Sequence, residues 1–269
     1  MLSIALRCLL LLLLGATLAA HGQSASSVYI EDLTSTELEA QIRAGKTTII
    51  VPIGGTEQNG PHMALGKHNV RAKALAGKIA LALGNALVAP VIAYVPEGSV
   101  NPPTGHMRYP GTITVPADAY RKVLESAARS FRLHGFRDIV FLGDHGDYQK
   151  DDQSVAQQLD REWAATPVRV HAIAEYYRAA ADGFAKDLKS RGYTAAEIGL
   201  HAGLADTALT LAIDPRLVRS DKLQPTPPQT TLPGVSGDPR RATPELGMVG
   251  VNAIVAETTA AIRAAVASH

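Results

Sequence analysis

Residues 138–147 of the chain read DIVFLGDHGD. The first six, Asp138–Gly143, form a short and largely apolar run that ends in glycine, which is typical of a buried strand. The next residues bring two carboxylates and one imidazole together around Gly146, where the missing side chain permits a tight turn. Ligands of open α/β sheets bind beyond the carboxyl ends of the strands. The stretch therefore predicts a buried strand followed directly by a candidate site.

Strand and helix patterns alternate on both sides of this run. Further strands are predicted at Thr48–Ile53, within Asn85–Val95, where Pro90 interrupts the run, and at Val168–Ala174. Helical spacing of apolar residues predicts helices at Asn69–Leu83, Ala117–His134, Ser154–Ala165, Glu175–Arg191 and Gly247–Val266. The proline-rich segment Gln224–Thr243 is predicted to be a long loop that serves as a lid or a subunit contact. Strands that alternate with helices indicate βαβ crossovers, so we expect one α/β domain with a mostly parallel sheet.

The N-terminal segment has the features of a secretory signal. Met1–Ala20 carries Arg7, then a run of leucines, then small residues, and it contains no acid. We expect cleavage after Ala20 or Gly22. The second cut removes residues 1–22 and leaves residues 23–269 as a secreted or periplasmic domain. A retained membrane anchor is the alternative, but the apolar run is short for a spanning helix.

Composition excludes several classes of function. The chain has 269 residues, of which 46% are hydrophobic and 19% charged, as in ordinary globular proteins. Its one cysteine, Cys8, lies in the signal segment, so disulfides, cysteine-ligated zinc and a catalytic cysteine are excluded from the mature chain. The net charge of +1 provides no general field for nucleic acid or acidic membranes, and we expect neither as a partner.

Two further polar clusters accompany the first. Glu57–His62 and Gly66–His68 follow the first predicted strand, and His201–Thr207 enters a helix. Carboxylates and imidazoles are ligands for divalent metals, whereas a hydrogen-bonded surface loop is the alternative interpretation. His201 is a candidate general acid–base, and Asp206 could instead be a helix N-terminal acid.

The remaining candidates are weaker. His106 lies in a loop rich in glycine and proline that could line a pocket, whereas His134 and His171 are interpreted as structural. Asp144 could cap the turn that follows the Asp138–Gly143 strand. The GVSGD segment around Ser236 lacks the second glycine of a nucleophile elbow, so it gives little support to a serine hydrolase.

Taken together, four motifs resemble the creatininase (creatinine amidohydrolase) family from about Thr48 to the end of the chain. VPIGGTEQNGPH at 51–62 stands where the family reads PxGSxEQHGPHLPxxTD, and LGDHGD at 142–147 stands for NGHGGN or NGHxEN. HAGLADT at 201–207 matches HAGxxET, and GVSGDPRRAT at 234–243 matches GVxGDPxxAT. The motifs occur in the family's order.

The resemblance implies a three-layer α/β sandwich, a hexamer, and a two-metal site of zinc or manganese that hydrolyses amides through a metal-activated water. It implies that His201 is the proton shuttle, and that Tyr176 and Tyr177 stand where relatives place a substrate-packing tryptophan. Further expected substrate contacts are Asn59, His62 and His106. The expected metal ligands are Glu57, His68, His145, Asp147 and Asp206.

Two departures from the family pattern bear on the metal. Asn59 replaces a histidine and is a poor zinc ligand, and His68 replaces the bridging aspartate. A carboxylate can hold two cations, whereas a single imidazole normally holds one. We therefore expect one well-formed metal site, with the second weakened or absent.

These observations favour an exported, metal-dependent amidohydrolase that cleaves a C–N bond of a small amide, cyclic or linear. Creatinine itself is not the expected substrate, because the ligand set and the aromatic pocket residues differ. The alternative is a non-catalytic periplasmic binding or scaffold protein that has lost the bridging metal site. A third possibility is a one-metal enzyme of altered chemistry, such as lactone hydrolysis or isomerisation.

Overall fold

Four parallel strands form the sheet, at the positions of the apolar runs. A computed structural model describes residues 27–224 and 232–268. The strands are β1 (Thr48–Ile53), β2 (Ala86–Val88), β3 (Asp138–Gly143) and β4 (Arg169–Ala172), in the order β2-β1-β3-β4. Every pairing within this sheet is parallel, as predicted. The expected signal segment, residues 1–22, and residues 225–231 of the expected loop lie outside the described residues.

Helices cover both faces of the sheet. In chain order they are α1 (Ser35–Arg43), α2 (Lys67–Leu83), α3 (Ala117–Leu133), α4 (Gln149–Glu162), α5 (Ala174–Arg178), α6 (Phe184–Ser190), α7 (Ala195–Ile198), α8 (Leu204–Ile213) and α9 (Pro244–Ala267). Ile50 and Val140 point into a core shared with α2, α8 and α9, whereas Ile49 and Phe141 point into a core shared with α3 and α4. Successive strand residues face opposite sides, so the two cores make a three-layer sandwich, which confirms the predicted fold class.

Three elements depart most from their predicted bounds, for local reasons. The second strand ends at Val88, because Pro90 cannot donate to the ladder, and only an isolated bridge at Ile92 continues it. Helix α4 begins at Gln149, five residues earlier than expected, since a polar first turn hides the apolar spacing. The helix predicted at Glu175–Arg191 is interrupted by a π-helical turn at Ala179–Gly183.

Helix α9 is long and apolar enough, by length and composition, to cross a membrane. Its side chains Leu246, Val251 and Ile254 are instead buried in the core against α2 and α8. At Gly247 an added Cβ would lie 1.9 Å from the Ala208 carbonyl oxygen, so the two helices touch through backbone. Its apolar composition is accounted for by its place in the core.

The strand order places the candidate site. From β1 the chain passes to β2 on one side, while β3 pairs on the other side of β1. The carboxyl ends of β1 and β3 therefore border the crevice at which open α/β sheets bind ligands. The Glu57 and His145 clusters follow these two strands directly.

Candidate functional site

Glu57 lies at the centre of the site. Its side chain is fully buried, and Oε1 accepts a hydrogen bond from His68 Nε2 at 2.8 Å. Oε2 makes no hydrogen bond with the residues that the structure describes. Burial opposes ionisation, but the hydrogen bond from His68 and the charges of His68 and Lys67 hold the pKa of Glu57 well below its usual range. An ionised, buried oxygen is therefore left without a partner, which is costly unless a cation binds it.

Imidazoles surround the Glu57 carboxylate. His106 Nε2 lies 3.3 Å and His145 Nε2 lies 3.7 Å from Glu57 Oε2, and His201 Nδ1 lies 3.6 Å from Oε1. Burial, followed by the charge of His68, lowers the pKa of His145 to about 4. Its ring is therefore neutral near pH 7 and keeps a lone pair for a metal.

His68 joins two carboxylates. Nε2 faces Glu57, and Nδ1 lies 2.5 Å from Asp144 Oδ2. Asp144 is further held by Arg71 at 2.8 Å and by the Tyr176 hydroxyl at 2.7 Å. A carboxylate on the far nitrogen of an imidazole is the usual support of a metal-ligating histidine. With Glu57 and His145, His68 forms a group whose ligand atoms lie within 4.8 Å of one another.

Asp206 is placed beside this group but is engaged by other residues. Its Oδ2 accepts from Lys67 Nζ at 2.9 Å and from the Ala202 amide at 2.9 Å, and Oδ1 accepts from Arg71 at 2.9 Å. It stands in the first turn of α8 and belongs to none of the candidate ligand groups. Burial opposes its ionisation, but Lys67 and Arg71 hold its pKa well below the usual range.

His201 is held through Nε2 of its ring and along its backbone. Nε2 lies 2.9 Å from the Gln58 carbonyl oxygen, to which it can donate, and the ring lies over His106 at 4.1 Å between centroids. The backbone pairs with Ser236, whose amide donates to the His201 carbonyl at 2.9 Å. The GVSGD segment therefore positions His201. Burial, then the charge of Lys67, lowers the pKa of His201 to about 4.

Three of the expected substrate residues lie in supporting positions. The Asn59 amide donates to the Glu57 carbonyl at 2.9 Å and so stabilises its own loop. His62 is fully buried and contacts Thr207 at 3.0 Å, while Tyr176 is buried against Asp144. His106 and Tyr177 do reach the site, the latter in the wall of the pocket.

A pocket of about 150 Å³ opens beside His68 and His145. Its polar lining includes Lys67, Arg71 and Asp206. Its apolar lining comprises Ala180, Ala181, Ala185, Ile198 and Leu209. The π-helical turn contributes two of these alanines, and such turns are frequent at functional sites.

A second pair of acids, Glu97 and Asp147, also lies close to His145. Ligand atoms of Glu97, His145 and Asp147 lie within 4.8 Å of one another. Burial, then the charges of Glu57 and Asp147, raises the pKa of Glu97 to about 9. Among the described residues, neither oxygen of Glu97 has a hydrogen-bond partner.

Sequence reasoning missed Arg71, Tyr148 and Glu97. Arg71 lies three and four residues after His68 and Lys67, so helical spacing alone would have placed all three on one face of α2. Glu97 is the acid that follows the second strand, and the strand-end rule applied to that strand would have marked it. Tyr148 gives no signal in the sequence, since its contacts cross from one strand end to another.

The parallel sheet carries carboxylates and imidazoles at its switch point, a ligand set that suits a metal-dependent hydrolase. The family model described as "Creatinine amidohydrolase" matches residues 31–262. The chain belongs to the creatininase family.

Curated relatives and solved structures agree with this assignment. The chain is 27% identical over 215 residues to the creatinine amidohydrolase of Pseudomonas putida, covering 77% of this chain and 80% of that protein. It is 27% identical over 237 residues to the mycofactocin precursor peptide peptidase of Mycobacterium ulcerans, covering 77% and 81%. A tryptophan-to-alanine variant of creatininase superposes with a TM-score of 0.73 at 25% identity, covering 89% of this chain and 99% of that one. Other creatininase structures carry zinc or manganese.

Proposed function

We propose that this protein is a metal-dependent amidohydrolase that cleaves the C–N bond of a small amide. The observation that carries the proposal is the unpartnered, ionised Oε2 of Glu57, faced by His106 and His145. A buried anion without a partner fits a missing cation, and the neutral ring of His145 supplies a second ligand. The residues that would hold the ion are Glu57, His145 and His68, and His68 Nε2 would have to give up the proton that it donates to Glu57.

A bound divalent cation supplies Lewis-acid polarisation of the substrate carbonyl and lowers the pKa of water. The chain's own residues would handle the protons. His201 keeps Nε2 on the Gln58 carbonyl and presents Nδ1 towards Glu57. Because its pKa lies near 4, His201 is a base at neutral pH, which can accept a proton at Nδ1 and pass it to the leaving nitrogen. Asp144 keeps His68 in place throughout.

The pocket supports a small substrate other than creatinine. Its volume of about 150 Å³ suits a small molecule, and three alanines belong to its apolar lining. The chain's one tryptophan, Trp163, is buried in the core on the other face of the sheet. Tyr177 is thus the large aromatic side chain in the pocket wall.

The test is turnover of a panel of small amides and lactams by metal-free protein reloaded with Zn²⁺ or Mn²⁺. We expect metal-dependent hydrolysis that falls at least 100-fold in His201→Gln and in His145→Ala. His134→Ala is the matched control, because this histidine is exposed at the end of α3. Absence of turnover with either ion, together with no metal-induced stabilisation, would refute the proposal.

The binding-protein alternative predicts a different result in the same experiment. A ligand that raises the unfolding temperature without being consumed would support it.

We further propose that the protein is exported through its leucine-rich N-terminus and assembles as a homo-oligomer, a hexamer by family resemblance. Mass spectrometry of the secreted protein measures the cleaved mass, and light scattering measures the assembly.

A further inference from the structure

Lys67 is fully buried, which is rare for a lysine. It is also the first residue of α2, where the positive end of the helix dipole makes a cation unfavourable. Its ammonium group therefore loses hydration and stands at an electrostatically poor position in the helix. A neutral side chain would avoid both penalties, so the charge itself is the feature that needs an explanation.

The ammonium group lies close to two carboxylates. Nζ donates to Asp206 Oδ2 at 2.9 Å and lies 3.9 Å from Glu57 Oε1. Glu57 follows β1, whereas Asp206 lies in the first turn of α8, so one charge joins two separate parts of the site. An ion bound to both of these oxygens would compete with Nζ for its position.

The remaining contacts of Asp206 also disfavour a metal ion there. Its Oδ1 accepts from Arg71 at 2.9 Å, and Oδ2 accepts from the Ala202 amide as well as from Lys67. Among the described residues, Asp206 belongs to no group of three ligand atoms that could hold an ion. The carboxylate is therefore satisfied by the protein itself.

The buried charges accommodate one divalent ion more readily than two. Three carboxylates lie in the cluster, those of Glu57, Asp144 and Asp206. They face two cations of the chain, Lys67 and Arg71. One negative charge is left over when the imidazole between Glu57 and Asp144 is neutral, as a metal ligand must be. One divalent ion already exceeds this charge, and a second would add like-charge repulsion in a buried site.

We propose that the Lys67 ammonium group replaces a second metal ion, so that the site contains one divalent ion and one positive charge fixed in the chain. The two-metal site that the family resemblance implies does not fit at Asp206, because Lys67 and Arg71 already hold that carboxylate. The proposal rests on the proposed function only for the first ion, at Glu57. Since the charge of Lys67 is covalently attached, a chelator cannot remove it.

The test counts the Zn²⁺ bound to metal-free, full-length protein in equilibrium dialysis, with the metal measured by atomic absorption. We expect one ion per chain in the wild type. Lys67→Ala removes the competing charge and should bind a second ion at least tenfold more tightly than the wild type does. Adding Asp206→Asn to Lys67→Ala should abolish this second ion.

A lysine on the same helix provides the matched control. Lys73 lies on α2 but pairs with Glu31 at the surface, so Lys73→Ala should bind one ion, as the wild type does. Lys67→Gln takes the place of Lys67→Ala if the latter does not fold, because its amide keeps a hydrogen-bond donor for Asp206 while the charge is lost.

Two ions held by the wild type with similar affinity would overturn the proposal. So would the failure of both Lys67 variants to bind a second ion, or a second ion that persists when Asp206→Asn is added. The two proposals fail separately. One ion in the wild type and two in Lys67→Ala, without amide turnover, would support the role of Lys67 and refute the hydrolase. Turnover by a wild type that holds two ions would do the reverse, and a wild type that binds no Zn²⁺ would refute both.

Discussion

The hydroxyl of Tyr148 ties together the loops that follow β1 and β3. The side chain is fully buried, and its one proton is donated to the Gly54 carbonyl at 2.6 Å. Its oxygen accepts the amides of Asp144 at 3.1 Å and His145 at 3.0 Å. Substitution Tyr148→Phe keeps the ring and removes only these bonds.

The loss of unfolding free energy depends on which hydrogen-bonded groups keep a partner in Tyr148→Phe. The Asp144 amide also donates to the Ile53 carbonyl at 3.0 Å, so that pair remains satisfied in Tyr148→Phe. The His145 amide and the Gly54 carbonyl have no second partner in the described part of the chain. Each buried backbone group left unpaired costs about 1–3 kcal/mol, so we expect the free energy of unfolding to fall by about 3 kcal/mol.

Urea denaturation followed by circular dichroism measures the change. With a slope of about 2 kcal/mol/M, the midpoint should fall by about 1.5 M with the slope unchanged. Tyr94→Phe is the control, since Tyr94 is 62% exposed and should behave as wild type. If Tyr148→Phe and Tyr94→Phe unfold at the same urea concentration, the inference that this hydroxyl joins the two loops is wrong.

Three further measurements test the charges of the molecule. Lys67→Met removes the 2.9 Å ion pair to Asp206 and should lower the free energy of unfolding by about 2 kcal/mol. A change below about 0.5 kcal/mol, as for a surface substitution, would contradict this prediction. Burial raises the pKa of Asp152 to about 7, whereas the unfolded chain loses this proton near pH 4, so its contribution to stability falls as pH rises between these values. The free energy of unfolding of Asp152→Asn, relative to that of wild type, should therefore rise by up to about 4 kcal/mol from pH 4 to pH 8 in parallel urea titrations. If this difference between variant and wild type does not change with pH, Asp152 is not a buried neutral acid. Finally, Zn²⁺ at 100 times its dissociation constant should stabilise the protein by about 2.7 kcal/mol in thermal or urea unfolding, and Glu57→Gln should lose this gain.

Most of the fold was predictable because each strand is an apolar run that stops at a polar cluster. β1 and β3 were predicted to the residue, since burial on both faces demands continuous apolar side chains. The π-helical turn at Ala179–Gly183 was not predictable, because it arises where the helix packs against the pocket and α9. Periodicity of the sequence reports which face is apolar and carries little information on such local changes of pitch.

The site residues that directly follow a strand could be predicted from the sequence. Glu57 and His145 follow adjacent strands, and the structure brings them together. The partner of each charge was not predictable. Asp206 is bound by Lys67 and Arg71, and nothing in the HAGLADT motif identifies those cations from a distant helix.

The strand order also determines when during folding a metal can act. Glu57 and His145 meet only after β3 has paired with β1, although β2 and two helices lie between those strands in the chain. Pairing across such a separation carries a loop-closure cost and is slow compared with forming α2 beside β1 and β2. A partly folded chain with only β1, β2 and α2 in place cannot present both ligands to one ion. Metal should consequently slow unfolding without accelerating the early steps of folding.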